Sequence, residues 1–253
     1  MVWNPTVYMT YAEERTRPAL ELLAHVRNEN PRRVVDLGCG PGNSTGALAA
    51  RWPQAQLHGL DSSPAMLEQA RKTGIRAEWV LSDIAKWSPP QTYDVIFSNA
   101  TLQWLGDHRG LLTRLMAFVE PGGTLAFQVP HNMNAPSHVL MREAAGSGPW
   151  SVRLKNVREV AVLEPSEYFD ILNGCGAEAD IWETEYLHVL DGQDAVYTWV
   201  SGTGLRPFVQ ALEGREREDF ISDYKARLNT AYPRRRDGKT LFPFKRLFAV
   251  ARR

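Results

Sequence analysis

The length and charge balance of the chain narrow its class before any motif is considered. Its 253 residues, 43% of them hydrophobic, suffice for one large α/β domain or a core domain with an insertion. Lys plus Arg and Asp plus Glu each number 29, so no net charge attracts nucleic acid or an acidic membrane. No apolar run approaches the roughly 20 residues that span a bilayer, and we see no export signal. Cys39 and Cys175 are the only cysteines, so we expect a cytoplasmic protein with no disulfide and no metal site. From the charge balance and the short apolar runs, we expect neither nucleic acid nor a membrane as a partner.

Apolar strand patterns alternate with helical patterns through the first half, which is typical of a parallel sheet covered by helices. A leading helix behind Pro18 precedes the first strand. Asn43 or Ser44 is expected to cap the helix after the first strand, and Ser63 with Pro64 to begin the helix after the second. The predicted strands are 33–37, 56–60, 76–81, 93–98 and 124–129.

After Pro130 this alternation stops. We predict a helix at 166–172, a strand at 179–190, a helical and irregular stretch over 192–243, and a last strand at 247–251. Because no repeat or low-complexity linker is present, we favour a single domain whose core is interrupted by a cap. The core is expected at about 18–130, 164–190 and 244–253, and the cap segments at about 1–17, 131–163 and 191–243.

The strongest motif is a strand followed by Asp36-Leu37-Gly38-Cys39-Gly40-Pro41-Gly42 and a helix. Glycines let the backbone turn tightly and approach a ligand, and a helix N-terminus favours electron-rich groups. The spacing is not G-x-G-x-x-G, and Pro41 removes an N–H that a pyrophosphate would use, which argues against NAD or FAD. Asp36 would repel a pyrophosphate and is placed to meet a cationic amino group. Taken alone, the loop could be only a tight turn.

Two further acids extend this loop into a cofactor site. Asp61 ends the second strand, where a carboxylate can accept both hydroxyls of a ribose. Asp83 follows the third strand and can receive an adenine amino group, with Ile84 against the ring. Together these features describe S-adenosylmethionine, whereas either acid alone would be typical of a helix cap or a solvated turn. The predicted cofactor-binding residues are Asp36, Gly38, Gly40, Gly42, Asn43, Asp61, Ser62, Met66, Asp83, Ile84 and Asn99.

The glycine loop, Asp61 and Asp83-Ile84 resemble the motifs of class I S-adenosylmethionine-dependent methyltransferases. The resemblance implies an α/β fold: a doubly wound, Rossmann-like, seven-stranded and mostly parallel sheet with an inserted, largely helical cap. More specific segments resemble the trans-aconitate 2-methyltransferases from end to end. They include Trp3-Asn4-Pro5, Asn99 through Trp104, His138 through Glu143, Thr203-Gly204-Leu205-Arg206-Pro207 and Leu247 through Arg253. This implies methylation of a carboxylate of trans-aconitate, giving the monomethyl ester and S-adenosylhomocysteine.

A carboxylate acceptor sets simple chemical demands. Its reference pKa of about 4 leaves it ionised at neutral pH, so catalysis needs positioning in a dry site and no general base. Guanidinium groups would hold its unreacting carboxylates. Arg206 is the first candidate for this role, and Arg234–Arg236 are among the others. Each arginine could equally be a solvated ion-pair partner, and His131 a structural histidine. The predicted substrate-binding residues are Trp3, Tyr8, Tyr11, Arg15, Trp104, His131, Arg142 and Arg206.

Other functions stay open at this point. The acceptor could be another small carboxylic acid or a different small molecule. An RNA base or protein side chain is disfavoured, because residues 98–104 lack the Asn/Asp-Pro-Pro-aromatic turn that holds a flipped base. From a different class, the chain could be a non-catalytic cofactor sensor. The sequence predicts no oligomeric state.

Overall fold

The computed structural model describes residues 12–157 and 160–253, apart from the side chains of residues 12, 13 and 15. The chain forms two compact units. The first unit consists of Met1–Pro130, Ala161–Thr184 and Arg246–Arg253, and the second of His131–Val160 and Glu185–Lys245.

The described residues form one sheet of seven strands. In chain order the strands are β1 (Arg33–Leu37), β2 (Gln56–Asp61), β3 (Glu78–Leu81), β4 (Tyr93–Asn99), β5 (Val119–Pro130), β6 (Glu178–Asp191) and β7 (Lys239–Arg252). Their order across the sheet is β3-β2-β1-β4-β5-β7-β6. Strands β3, β2, β1, β4 and β5 are parallel, and β7 is antiparallel to β5. The predicted Rossmann-like, mostly parallel sheet is therefore confirmed.

Helices connect the strands and build most of the second unit. In chain order they are α1 (Ala12–His25), α2 (Asn43–Arg51), α3 (Pro64–Lys72), a short 3₁₀ helix (Leu102–Trp104), α4 (His108–Ala117), α5 (Pro136–Ser147), α6 (Ser151–Leu154), α7 (Pro165–Gly174), α8 (Ala195–Ser201), α9 (Arg206–Gln210) and α10 (Gly214–Ala231). The predicted start of α3 is confirmed, since Ser63 Oγ accepts a hydrogen bond from the Met66 N–H at 3.4 Å and Pro64 is the first helical residue.

Two predicted helix starts are wrong. Helix α1 begins at Ala12, and Pro18 lies inside it, because the residues before the proline are themselves good helix formers. Helix α2 has Gly42 as its N-cap, with a φ of 99° and no capping side chain. The predicted cap Ser44 instead donates its hydroxyl hydrogen bond to Asp36.

The predicted extent of the last strand is also wrong. Residues 239–246 already belong to β7. The irregular stretch was expected to continue to Pro243, and the last strand to begin only at residue 247. Strand β5 pairs with β7 from Arg246 to Arg252. Pro243 lies outside this pairing, where its missing N–H removes no hydrogen bond to β5.

The central strands of the first unit are buried on both faces, as expected for a parallel sheet. In β1 and β4, the residues Val34, Val35, Leu37, Val95, Ile96 and Phe97 are all 1% exposed or less. Side chains at the carboxyl ends of these strands are therefore held by a closely packed layer.

The second unit has an aromatic core of its own. The rings of His188 and Trp199 pack at a tilt, with centroids 4.4 Å apart, and Phe242 and Phe244 pack against Trp199. Tyr224 is fully buried and donates a hydrogen bond from its hydroxyl to the Ser137 carbonyl at 2.7 Å. Across both units, no helix in the described part of the chain combines the length and apolarity needed to cross a membrane.

Candidate active site

A cavity of about 270 Å³ opens in the first unit at the carboxyl ends of the strands. Strands β1 and β4 are neighbours there although four elements, α2, β2, α3 and β3, separate them in sequence. Such a switch in strand order leaves a crevice that α/β proteins use for ligands. The cavity is lined by Gly38, Gly40, Pro41, Asp61, Ser62, Met66, Asp83, Ile84, Asn99, Ala100, Thr101, Trp104 and Leu105.

Two glycines of the loop after β1 are required for different reasons. Gly38 has a φ of +74°, and a Cβ there would stand 2.2 Å from the side chain of Thr101. Gly40 has a φ of +54°, and none of the described atoms lies within 4 Å of where its Cβ would stand. Gly38 therefore interlocks with the turn after β4, whereas Gly40 presents open backbone to the cavity.

Hydrogen bonds tie this loop to the end of β2. The N–H groups of Gly38 and Cys39 donate to the Leu60 carbonyl at 2.7 and 3.0 Å. The N–H of Gly40, the next residue, donates to Asp61 Oδ2 at 3.0 Å. The loop is thus fixed before any ligand arrives.

Asp61 is the carboxylate that links the loop to helix α3. Its Oδ1 accepts the Ser63 N–H at 2.8 Å, while Oδ2 holds Gly40. Burial raises the pKa of Asp61, opposed by the N–H groups of Ser63, Gly40 and Ser62. Because a carboxylate oxygen has two lone pairs, each oxygen can still accept one hydroxyl group of a ligand.

Asp36 does not line the cavity in the way predicted for it. It is fully buried, and its Oδ2 accepts hydrogen bonds from Ser44 Oγ at 2.7 Å and Thr45 Oγ1 at 2.6 Å. Its Oδ1 has no hydrogen-bond partner among the described residues. Burial raises the pKa of Asp36 to about 6 in spite of these two hydroxyls. The carboxylate therefore anchors the start of α2 beneath the loop.

The far end of the cavity combines an exposed acid with apolar groups. Asp83 is exposed, and its Oδ1 accepts the Ala85 N–H at 2.9 Å. Ile84 is 6% exposed and Met66 3% exposed. Arg114 fixes this turn by donating from Nη2 to the Ile84 carbonyl at 2.8 Å. A polar edge above an apolar surface suits a flat heterocycle such as adenine.

The turn after β4 forms the remaining wall. Ala100 adopts a left-handed φ of 52°, which is rare for a residue with a Cβ. Its N–H donates to the Gln128 carbonyl at 2.9 Å, and Thr101 donates to the Gly38 carbonyl at 3.2 Å. The strained turn is therefore fixed from two sides.

His108 supports the short helix that carries Trp104. Its Nε2 donates to the Leu102 carbonyl at 3.0 Å, so in the neutral ring Nδ1 accepts from the Tyr168 hydroxyl at 2.6 Å. Burial lowers the pKa of His108. This pair holds the segment from Leu102 to Trp104 against the core.

The structure brings together most of the predicted cofactor residues. Those that line the cavity are Gly38, Gly40, Asp61, Ser62, Met66, Asp83, Ile84 and Asn99. Asp36, Gly42 and Asn43 do not line it and lie at or beside the start of α2. The sequence did not predict Pro41, Ala100, Thr101 or Leu105 as lining residues, although each lies within two positions of a predicted residue.

The predicted substrate residues are spread over both units or fall outside the description. Trp104 lines the cavity. Trp3, Tyr8, Tyr11 and the side chain of Arg15 lie outside the described residues. His131, Arg142 and Arg206 belong to the second unit, where the His131 N–H donates to the Lys245 carbonyl at 2.9 Å and Arg142 Nη2 to the Met133 carbonyl at 2.9 Å.

Arg206 begins helix α9 directly before Pro207. It is half-buried, and burial lowers its pKa. Gly204 lies two residues before Arg206, and a Cβ at Gly204 would stand 3.3 Å from His138 Nε2. The three consecutive residues Arg234–Arg236 are exposed, and Arg234 Nε closes its own turn by donating to the Gly238 carbonyl at 2.7 Å.

Comparisons with known proteins agree with this architecture. Residues 34–123 match the family model described as a methyltransferase domain. Among solved structures, the YcgJ protein from Bacillus subtilis superposes with a TM-score of 0.62 at 15% identity, over 94% of this chain and 98% of that one. The sheet order and the acid-flanked glycine loop define a class I S-adenosylmethionine-dependent methyltransferase.

Two close relatives identify the family. A trans-aconitate 2-methyltransferase from Methylobacterium radiotolerans is 48% identical, covering 99% of this chain and 98% of the relative. A protein of the same name from Azoarcus sp. is 46% identical, covering 98% of each chain. This chain belongs to the trans-aconitate 2-methyltransferase family.

Proposed function

We propose that this chain transfers the methyl group of S-adenosylmethionine to one carboxylate of trans-aconitate, giving the monomethyl ester and S-adenosylhomocysteine. The observation that carries the proposal is the cavity where Asp61 and Asp83 flank the glycine loop. The choice of acceptor is supported by the full-length identity of 48% to a protein named trans-aconitate 2-methyltransferase. The whole chain then acts as a single methyltransferase domain.

The cavity residues fit S-adenosylmethionine. Gly40 offers open backbone, and Asp61 keeps a lone pair on each oxygen for the ribose hydroxyls. Asp83 would accept the adenine amino group, and Ile84 and Met66 supply the apolar surface for the ring. We propose that Ser62 and Asn99, which also line the cavity, complete the polar contacts, while Asp36, Gly42 and Asn43 act through the loop and helix α2.

When bound, S-adenosylmethionine supplies a methyl group that the neighbouring sulfonium charge makes electrophilic. The protein has to hold the acceptor oxygen in line with it and keep water out. Trp104 and Leu105 line the cavity with apolar surface suited to that exclusion. Because the acceptor carboxylate is already ionised, no side chain needs to act as a general base. His131 is proposed to orient the acceptor only.

The unreacting carboxylates of the substrate need cationic partners. We propose Arg206 for one of them, since a half-buried guanidinium stays charged at neutral pH and presents a planar pair of donors. Arg15 and Arg142 are further candidates, and Trp3, Tyr8 and Tyr11 are proposed to line the apolar side. Arg234–Arg236 are less suited, because all three are exposed.

Partners and location follow from the chemistry of the chain. A balance of 29 basic and 29 acidic residues gives no general attraction for nucleic acid, so we propose a small-molecule acceptor rather than RNA. Both cysteines are free thiols, with Cys39 buried, which suits a reducing cytoplasm.

The experiment is turnover of methyl-labelled S-adenosylmethionine against a panel of acids. The panel contains trans-aconitate, cis-aconitate, citrate, a saturated tricarboxylate and a monocarboxylate, with RNA and a protein mixture as controls. We expect the highest kcat/KM for trans-aconitate and no label on RNA or protein. Cofactor binding without transfer to any acid would favour a cofactor sensor instead.

A further inference from the structure

A buried guanidinium lies beside the cavity but outside the predicted site. Arg246 on β7 is only 4% exposed, and Gln128 on β5 is 0% exposed. Arg246 Nη1 donates to Gln128 Oε1 at 3.3 Å. A guanidinium and an amide both carry N–H donors, so the pair joins two groups that can bind an anion.

The strand register places this pair next to the active site. Gln128 is the Cα partner of Asn99, a residue that lines the cavity. Arg246 is the Cα partner of Pro130, two residues beyond Gln128 and on the same face of the sheet. All of these residues belong to the first unit, at the carboxyl edge where β4 and β5 end.

The amide of Gln128 leaves a donor available. A guanidinium only donates hydrogen bonds, so the atom of Gln128 that faces Arg246 is Oε1 and the amide nitrogen points away. That Nε2 is buried and has no hydrogen-bond partner among the described residues. A buried amide donor without an acceptor is destabilising because its lost hydration is not replaced, and an anionic ligand would supply the missing acceptor.

We propose that Gln128 and Arg246 form a carboxylate-binding site for an unreacting carboxylate of the acceptor acid. The inference rests on the proposed function for the identity of the acid. A carboxylate is planar and can accept from the amide N–H and a guanidinium N–H side by side. The guanidinium has five N–H donors, so binding a carboxylate is compatible with its bond to Gln128 Oε1.

The test is an isosteric charge change, Gln128→Glu. The new carboxylate would pair with Arg246 and repel the substrate, so the variant should fold at least as stably as the parent. We expect its KM for trans-aconitate to rise roughly 10- to 100-fold, with the dissociation constant of S-adenosylhomocysteine unchanged. We also expect trans-aconitate to raise the Tm of the parent protein in the presence of S-adenosylhomocysteine but not that of the variant.

Gln56→Glu is the matched control. It adds the same charge at an exposed position on the amino end of strand β2, which β1 and β4 separate from β5, and its KM should match that of the parent. Gln128→Leu and Arg246→Lys provide second readouts if the first variant does not fold. The lysine keeps the charge but loses the planar fork, so it should also raise KM.

The proposal is overturned if every folded variant of Gln128 and Arg246 has a KM for trans-aconitate within about twofold of the parent. It is also overturned if the acid raises the Tm of Gln128→Glu as much as that of the parent. Failure of the proposed function looks different, because the parent protein itself would then not methylate trans-aconitate.

Discussion

Asp61, the last residue of β2, accepts a hydrogen bond from the Gly40 N–H at 3.0 Å, which ties the loop after β1 to the end of β2. The other oxygen of the same carboxylate holds the Ser63 N–H at 2.8 Å. An amide at this position has only one accepting oxygen and would direct an NH₂ group against one of these donors.

We therefore expect Asp61→Asn to weaken S-adenosylmethionine binding roughly 10- to 100-fold, through both lost ribose contacts and a loosened loop. Calorimetry measures the change directly. Asp94→Asn is the matched control. Asp94 accepts hydrogen bonds from the N–H groups of Arg32, just before β1, and Arg33, the first residue of β1, at 2.9 and 2.8 Å. These contacts lie away from the cavity. Equal losses of affinity in both variants would assign Asp61 a structural role only.

Gly38 and Gly40 of the loop should respond differently to alanine. A Cβ at Gly38 would stand 2.2 Å from Thr101, whereas at Gly40 it meets no described atom within 4 Å. Gly40→Ala should cost only the strain of a positive φ, about 1 kcal/mol of folding stability. Gly38→Ala should cost more and separate the loop from the turn after β4.

Adding Thr101→Ala to Gly38→Ala removes the two nearest atoms in conflict, Oγ1 and Cγ2, and leaves only the Cβ of residue 101 at 2.6 Å, so it should recover part of the lost stability. Urea unfolding of the two single variants and the double variant gives the comparison. The interlock between Gly38 and Thr101 would be refuted if the double variant were less stable than the sum of the single changes predicts.

The buried Asp36 should make folding stability depend on pH. Burial raises its pKa from 3.8 to about 6, so the folded state binds its proton more tightly than the unfolded state does. Asp36 then lowers the free energy of unfolding as pH rises from about 4 to above 6, by about 3 kcal/mol in all.

In Asp36→Asn this titration is absent. The free energy of unfolding of the variant minus that of the parent should therefore increase by about 3 kcal/mol from pH 4 to pH 7. Urea unfolding at each pH measures it. A difference that does not change with pH would mean that Asp36 titrates alike in the folded and unfolded states.

Local patterns in the sequence were sufficient for the strands and acids of the first half. Strand β1 was predicted at the residues where it occurs, because Val34, Val35 and Leu37 form a short apolar stretch that ends at the turn beginning with Gly38. Asp61 and Asp83 line one cavity for a similar reason: each comes within two residues of the end of a predicted strand, and parallel strands bring their carboxyl ends to one edge.

Relations between distant segments were not predictable in this way. Gln128 and Arg246 are 118 residues apart and meet only because β7 pairs antiparallel to β5. Nothing in the local pattern around Arg246 distinguishes a buried guanidinium from the exposed arginines nearby. Asp36 was expected to face the ligand, and its hydrogen bonds to Ser44 and Thr45 depend on how α2 is seated against β1.

The pH dependence of catalysis distinguishes an acid acceptor from a phenol or amine. A carboxylate is already ionised, so kcat/KM at saturating cofactor should be level between about pH 6.5 and 8.5. Replacing His131 by Gln keeps a hydrogen-bonding group but no base, and should cost at most about tenfold through orientation. A loss of about a thousandfold, with a sigmoidal pH profile that vanishes in the variant, would instead identify His131 as a general base.

The most direct measurement is identification of the product. The protein is incubated with S-adenosylmethionine carrying a trideuterated methyl group and with trans-aconitate, and both products are quantified by mass spectrometry. We expect one trideuterated monomethyl ester of trans-aconitate for each S-adenosylhomocysteine formed. Cofactor consumption without an ester, or label on a different class of acceptor, would contradict the proposed function.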